Sequence, residues 1–302
     1  MMNLLIRGHH GLGDNLHQRA IVRQMMQWYD VWIESSWVAP YHDLIAQGLK
    51  VVHKDTTLRT QTKNAARERS GFHRGPRPPF KRQIKVYYTP NFVRTAGSVL
   101  GAMFMSIGLD PESMDFRMPV PDAWVQKARG FVGTPGKPIM VYRPLVLRTE
   151  WNNEARNPEP VAYARIFKAI RDRYYVVSIA DVEPNKEWIV GERIEADQAF
   201  HRGELDFEAL AGLFSLASLV YCSPGFAVVL AQAVSTPVIS AFGGYERAYS
   251  FSAGARFSPY CPIEPMNPVD DFKHEMSISK LIDVPAALAK VRAFIGTESV
   301  AA

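Results

Sequence analysis

The first feature that constrains this chain is its opening run. Residues 2–7 (Met-Asn-Leu-Leu-Ile-Arg) are apolar enough for a buried strand and lead directly into a glycine-bearing turn, Gly8 to Gly13. Residues 15–28 then carry Leu16, Ala20, Ile21, Met25 and Trp28, mostly three to four apart, the spacing of a one-faced helix. Residues 30–34 (Asp-Val-Trp-Ile-Glu) read as a second strand. A strand, a turn, a helix and a strand in that order commit the chain to a parallel sheet, because parallel neighbours need a crossover. A helix over 41–47, a strand over 50–53, a short strand over 84–88 and helical text over 92–107 continue the pattern.

The alternation pauses over 119–138, which is rich in proline and glycine (Pro119, Pro121, Gly130, Gly133, Pro135, Gly136, Pro138) and reads as a linker. It then restarts. Strands are expected over 139–142, 174–179, 193–196, 219–222 and 237–242. Helices are expected over 160–172, after Glu183, over 206–215 with Asp206 as N-cap, over 225–234 and over 277–295. A chain of 302 residues exceeds one small core. The expected architecture is α/β, with two Rossmann-like domains, 1–125 and 138–302, facing a central cleft. No stretch reaches the roughly 20 apolar residues of a membrane span, and the apolar start is too short for a signal peptide, so a cytoplasmic protein is expected, one that can sit at the inner membrane as a peripheral protein. Cys222 and Cys261 form no disulfide framework, and neither they nor the histidines have metal-ligand spacing, so no metal is expected.

The net charge of +5 is concentrated. Between Arg59 and Lys85 there are nine lysines or arginines against one acid, Glu68, among several glycines and prolines. That composition reads as a mobile basic loop, either a solvated surface or a clamp for an anionic partner such as nucleic acid or a phosphorylated glycolipid. Arg69, Arg74, Arg77, Lys81 and Arg82 are its acceptor-binding candidates.

Two readings compete for the first glycine turn. As a dinucleotide fingerprint it would use Gly8, Gly11, Gly13 and Glu34, but Leu16 stands where the third glycine of GxGxxG belongs, and no Tyr-x-x-x-Lys pair follows for an NAD-type oxidoreductase. Alternatively the informative residue is Asp14. In the first helical turn its carboxylate is held ionised by the helix dipole, so a low pKa is expected; it can cap the helix or take a proton from an acceptor hydroxyl. Gly13 and His10 would then face the acceptor.

A second strand-to-helix turn, Tyr221 to Ala227, offers the backbone N–H groups of Ser223, Gly225, Phe226 and Ala227 to a diphosphate. Arg143 and Arg148 follow a strand ending on the same sheet edge and suit phosphate, unless they pair with Glu150 or Glu154. Glu246 is either a partner for donor hydroxyls or a surface acid. Trp151 is either core or a stacking platform.

At these residues the chain resembles the bacterial heptosyltransferases, glycosyltransferase family 9, of GT-B fold. Gly11-Leu12-Gly13-Asp14-Asn15-Leu16 looks like that family's Leu-Gly-Asp motif, whose aspartate is the proposed base. Residues 210–243 look like its donor segment in order and length, and Arg148 and Trp151 sit near its phosphate contact. Ser223-Pro224-Gly225 replaces the family's Asp-Ser/Thr-Gly, and the family's donor histidine falls on Val228 or Val229. The resemblance implies sugar transfer from a nucleotide diphosphate sugar to an anionic acceptor (glycan, lipid or modified nucleic acid), with Asp14 as base and no metal. No DxD motif occurs in the sequence. A non-catalytic nucleic-acid or anionic-polymer binding protein on the same scaffold is the alternative.

Overall fold

The computed structural model describes residues 2–110, 114–150, 154–270, 272 and 280–298. The strands are β1 (Met2–Arg7), β2 (Tyr29–Ser35), β3 (Lys50–His53), β4 (Arg82–Lys85), β5 (Ile139–Tyr142), β6 (Val146–Arg148), β7 (Tyr175–Ile179), β8 (Glu187–Ile189), β9 (Gln198–Phe200), β10 (Leu219–Cys222), β11 (Val238–Ala241) and β12 (Tyr260–Ile263). The helices are α1 (Leu12–Met25), α2 (His42–Ala46), α3 (Arg59–Arg67), α4 (Pro90–Ala96), α5 (Val99–Met105), α6 (Asp122–Val132), α7 (Pro160–Lys168), α8 (Phe207–Leu216), α9 (Phe226–Ala233) and α10 (Val284–Glu298).

Two parallel sheets carry the molecule. The first has the order β3-β2-β1-β4 and the second β12-β11-β10-β5-β7-β9. β6 and β8 pair antiparallel as a separate ribbon. The central strands β5, β10 and β11 are buried at every residue, as expected where helices cover both faces. The first sheet differs. Leu4 and Ile6 of β1 face the main core, whereas Leu5 faces a small cluster of Trp32 and Val52 covered by Phe80.

Local chemistry explains several helix starts. Thr89, Ser98 and Asp206 each accept a hydrogen bond from the backbone N–H three residues on, and so cap α4, α5 and α8. Gly97, left-handed at the end of α4, and the Ser98 cap of α5 divide the expected 92–107 helix in two.

Three expectations change. The basic stretch is not a loop throughout. It forms α3 and the edge strand β4, because Arg59, Lys63 and Arg67 find partners across the cleft. The proline- and glycine-rich 119–138 contains α6, held against α8 where Gly212 leaves no room for a Cβ: one would lie 2.1 Å from the Trp124 carbonyl. After Glu183 the chain forms β8 rather than a helix, and the strand expected over 193–196 is β9. Residues 277–279 of the expected last helix lie outside the described residues; the helix is α10.

Arg19 ties these pieces together although it is wholly buried. Its guanidinium donates to both Asp43 oxygens at 2.8 Å and to the Phe116 and Arg117 carbonyls at 3.3 and 3.0 Å. α1, α2 and the chain crossing between the sheets therefore share one cation. The same crossing segment bonds α9 through Met118 N to Ala233 O, 2.8 Å.

His17, one turn after Asp14, is 2% exposed and meets the Phe116 ring edge-on at 5.0 Å. Burial pushes its pKa from 6.5 down to about 3. The unfolded chain then binds the extra proton first, so stability is full above about 6.5 and falls as pH drops towards 3. His17→Leu should flatten that slope. Denaturation midpoints at pH 7 and pH 4.5 for both proteins test it; equal acid losses would show that His17 is not the sensitive group.

Candidate active cleft

The cleft begins where α1 and α9 start. Both follow strands of parallel sheets, so their first turns lie beyond the carboxyl edges, where open α/β sheets bind ligands. A Cβ on Gly13 would sit 3.3 Å from the Phe226 Cα, so the two first turns approach almost backbone to backbone. Asn15, fully buried, fixes the first turn. Its amide donates to the His9 and Gly11 carbonyls at 3.2 and 2.7 Å, and its oxygen accepts from Ser35 and Tyr41 at 2.7 and 3.1 Å. One side chain thus locks the turn to the end of β2.

That lock presents Asp14 to a cavity of about 570 Å³. The Tyr88 hydroxyl donates to Asp14 Oδ1 at 3.2 Å, and the His9 ring lies 4.8 Å from the Tyr88 ring. Burial pushes the Asp14 pKa up, against smaller opposing effects of His9, Tyr88 and Arg156. This reverses the low pKa expected from the helix dipole, because loss of water outweighs the dipole at an enclosed carboxyl. Tyr88 and His9 were missed as Asp14's neighbours; only a tertiary fold brings residue 88 to residue 14.

The opposite wall is cationic. The Arg143 guanidinium lies 5.2 Å from the Phe226 ring centre, in the first turn of α9. Burial, followed by nearby Arg148, lowers its pKa to about 10, so it stays charged at neutral pH. Among the described residues no carboxylate lies within ion-pair distance of it. Arg148 Nε lies 3.6 Å from Glu187. Neither arginine pairs with Glu150 or Glu154; Glu150 accepts from the Arg59 backbone N–H at 2.9 Å. Ser223, Gly225 and Phe226 line the cavity, and Gly225 has φ +142°, a conformation L side chains rarely adopt. Ala227 is buried beneath them and does not line it.

Arg156 is a cleft residue that the sequence did not mark. It sits on a tight turn, 154–156, pressed against Gly243, where a Cβ would lie 2.3 Å from the Ala155 and Asn157 carbonyls. Its Nε donates to Glu246 at 2.6 Å. Glu246 is 3% exposed, is absent from the cavity wall and accepts from Arg156.

The acceptor candidates divide. Gly13 lines the cavity; His10 does not, and its carbonyl accepts from Trp37 Nε1 at 2.9 Å. Burial and the nearby Lys54 lower the His10 pKa. Arg69, Arg74, Arg77, Lys81 and Arg82 are exposed and line no part of the cavity. Arg82 pairs in register with Leu4, at the sheet end away from the cleft, and donates to the Tyr29 hydroxyl. Instead α3 brings basic groups to the cavity. Lys63 meets Asp181 and the Arg202 carbonyl, each at 3.1 Å, and Arg67 meets the Gly203 carbonyl at 2.7 Å. The four-residue spacing of Arg59, Lys63 and Arg67 was the overlooked signal, since it puts three cations on one helix face. Trp151 lies outside the described residues. Among the described residues no cluster of three or more His, Cys, Asp or Glu can hold a metal ion, and no helix is long and apolar enough to cross a membrane.

No protein-family model and no curated protein matches the sequence. Solved structures do match. The iron-containing dodecameric glycosyltransferase TibC from enterotoxigenic E. coli H10407 aligns over 99% of this chain and 76% of its own, at 14% identity and TM-score 0.62. The E. coli ADP-heptose lipopolysaccharide heptosyltransferase II aligns over 99% and 100%, at 10% identity and TM-score 0.58. A family 9 glycosyl transferase from Veillonella parvula DSM 2008 aligns over 97% of both chains, at 10% identity and TM-score 0.55. At such identities the likeness establishes the fold, which is the two-domain GT-B arrangement.

A raised Asp14 pKa also has a stability consequence. The protonated acid favours the fold, an advantage full below 3.8 and lost as pH rises through the raised folded value. Asp14→Asn keeps the shape without the half-buried charge, so at pH 8 it should melt above the parent chain. A variant that melts below the parent at pH 8 would show that the carboxylate is stabilised where it sits.

Proposed function

We propose that this GT-B chain is a glycosyltransferase that moves a sugar from a nucleotide diphosphate sugar to an anionic acceptor. The observation that carries this reading is Arg143. It is a charged guanidinium without a carboxylate partner among the described residues, set beside the first turn of α9 in the cavity that Asp14 enters from the other domain. Backbone N–H groups at the start of α9 and a guanidinium are the chemistry that holds a diphosphate.

In this mechanism the donor diphosphate lies against Gly225 and Phe226, with Arg143 and Arg148 on its oxygens. Asp14 takes the proton of the acceptor hydroxyl while that oxygen forms its bond to the anomeric carbon. The bond from the anomeric carbon to the diphosphate breaks, and the leaving group departs with both electrons. The cations and the helix dipole stabilise the charge it gains, which can replace a metal ion in that role. The raised pKa of Asp14 suits proton capture better than that of an ordinary surface carboxylate. Tyr88 holds the carboxylate in place. The exposed cations from Arg69 to Arg82 would draw an anionic acceptor, such as a phosphorylated glycolipid or nucleic acid, towards the first domain. The solved relatives support this reading: TibC has also been crystallised with ADP-D-β-D-heptose.

Two variants test the assignment. A nucleoside diphosphate at about 100 times its Kd should add roughly 2.7 kcal/mol to stability and raise Tm by a few degrees. Arg143→Ala should remove that shift, whereas Asp14→Asn should retain it and lose turnover by about 10² to 10⁴-fold. Wild-type turnover in Asp14→Asn would remove Asp14 from the chemistry. No shift with ADP, UDP or GDP would overturn the donor assignment and favour a binding protein on the same scaffold.

A further inference from the structure

Arg148 and Glu187 face each other in register on the β6–β8 ribbon. An isolated cross-strand pair of opposite charge closes on itself, and here that closure would remove Arg148 from the cleft. The ion pair forms but stays loose: Arg148 Nε lies 3.6 Å from Glu187 Oε1, too far for a hydrogen bond. The other carboxylate oxygen is taken by Arg59 Nη2 at 2.5 Å, a contact from the first domain into the second. Arg59 also reaches Asp181 at 3.3 Å and Glu183 at 3.4 Å, and Lys63, one turn on, meets Asp181. Glu187 is only 8% exposed, so it cannot take water in place of a cation at little cost. Arg59 and Arg148 are the cations within ion-pair distance of it among the described residues.

We infer that Arg59 is a positioning residue: by holding Glu187 from across the cleft, it keeps the Arg148–Glu187 pair too loose to hold the Arg148 guanidinium back from the donor diphosphate. This rests on the glycosyltransferase reading above. When α3 is docked, Arg59 neutralises Glu187 and Arg148 faces the cavity. When α3 withdraws, Glu187 captures Arg148 and the phosphate site loses a cation. Domain closure and donor affinity are then linked, and each favours the other.

The test is calorimetric titration of the full chain with ADP, UDP and GDP, carried on with whichever binds. Arg59→Ala should weaken binding about tenfold, within the usual range of such couplings. Arg59→Lys, which keeps a cation at Glu187, should fall between that variant and wild type. Glu187→Gln should bind at least as tightly as wild type, since no carboxylate remains to capture Arg148. The decisive variant is Arg59→Ala with Glu187→Gln, which should match Glu187→Gln alone. If the double variant binds as weakly as Arg59→Ala, Arg59 acts only by bracing the domains, and the inference fails. It fails also if Arg59→Ala binds like wild type. If wild type binds none of the three nucleotides, the glycosyltransferase reading falls and this inference with it; binding by wild type with no effect of Arg59→Ala overturns the inference alone.

Discussion

The near contact of two helix starts organises this molecule. Because Gly13 has no side chain, the first turn of α1 can rest on the Phe226 backbone at the first turn of α9. Each helix leaves the carboxyl edge of its own parallel sheet, so the contact turns both edges towards one cavity. It also brings two positive helix ends together. Packing alone would gain little from that arrangement. An anion lying between them would gain from both.

The rest of the structure serves that meeting point. Asn15 locks the glycine turn to β2, and Arg19 ties α1 to the chain that crosses between the sheets. The crossing chain then bonds the far end of α9. In the second domain Gly243 lets the 154–156 turn press close, which carries Arg156 to the cavity with Glu246 beneath it. The electrostatic pattern is consistent across the site. Most cations there are matched to acids, Arg59 to Asp181 and Glu187, and Arg156 to Glu246. Among the described residues Arg143 is not, and a half-buried unmatched guanidinium is costly unless a ligand completes it.

Much of the fold was legible in the sequence because parallel sheets write themselves as apolar strands separated by helices. The two glycine turns and the two α/β halves followed from that rhythm, the GT-B layout from the family resemblance, and Asp14, Arg143, Arg148, Ser223, Gly225 and Phe226 do line one cavity. What was not legible depended on tertiary partners. Arg59, Lys63 and Arg67 looked like part of a mobile basic loop because their partners, the acids Asp181 and Glu187 and the Gly203 carbonyl, lie more than a hundred residues away. Glu246 looked available because nothing local shows that Arg156 covers it. The Asp14 pKa was misjudged because the dipole is a local feature, whereas desolvation comes from the tertiary packing around the turn.

The most direct test is a crystal structure of the chain with the nucleoside diphosphate it binds most tightly. The account predicts both phosphates against the first turn of α9, within hydrogen-bond reach of Arg143, with Asp14 facing them across the cleft. A diphosphate bound instead at the first glycine turn, with its ribose on Glu34, would contradict it and restore the dinucleotide reading of that turn.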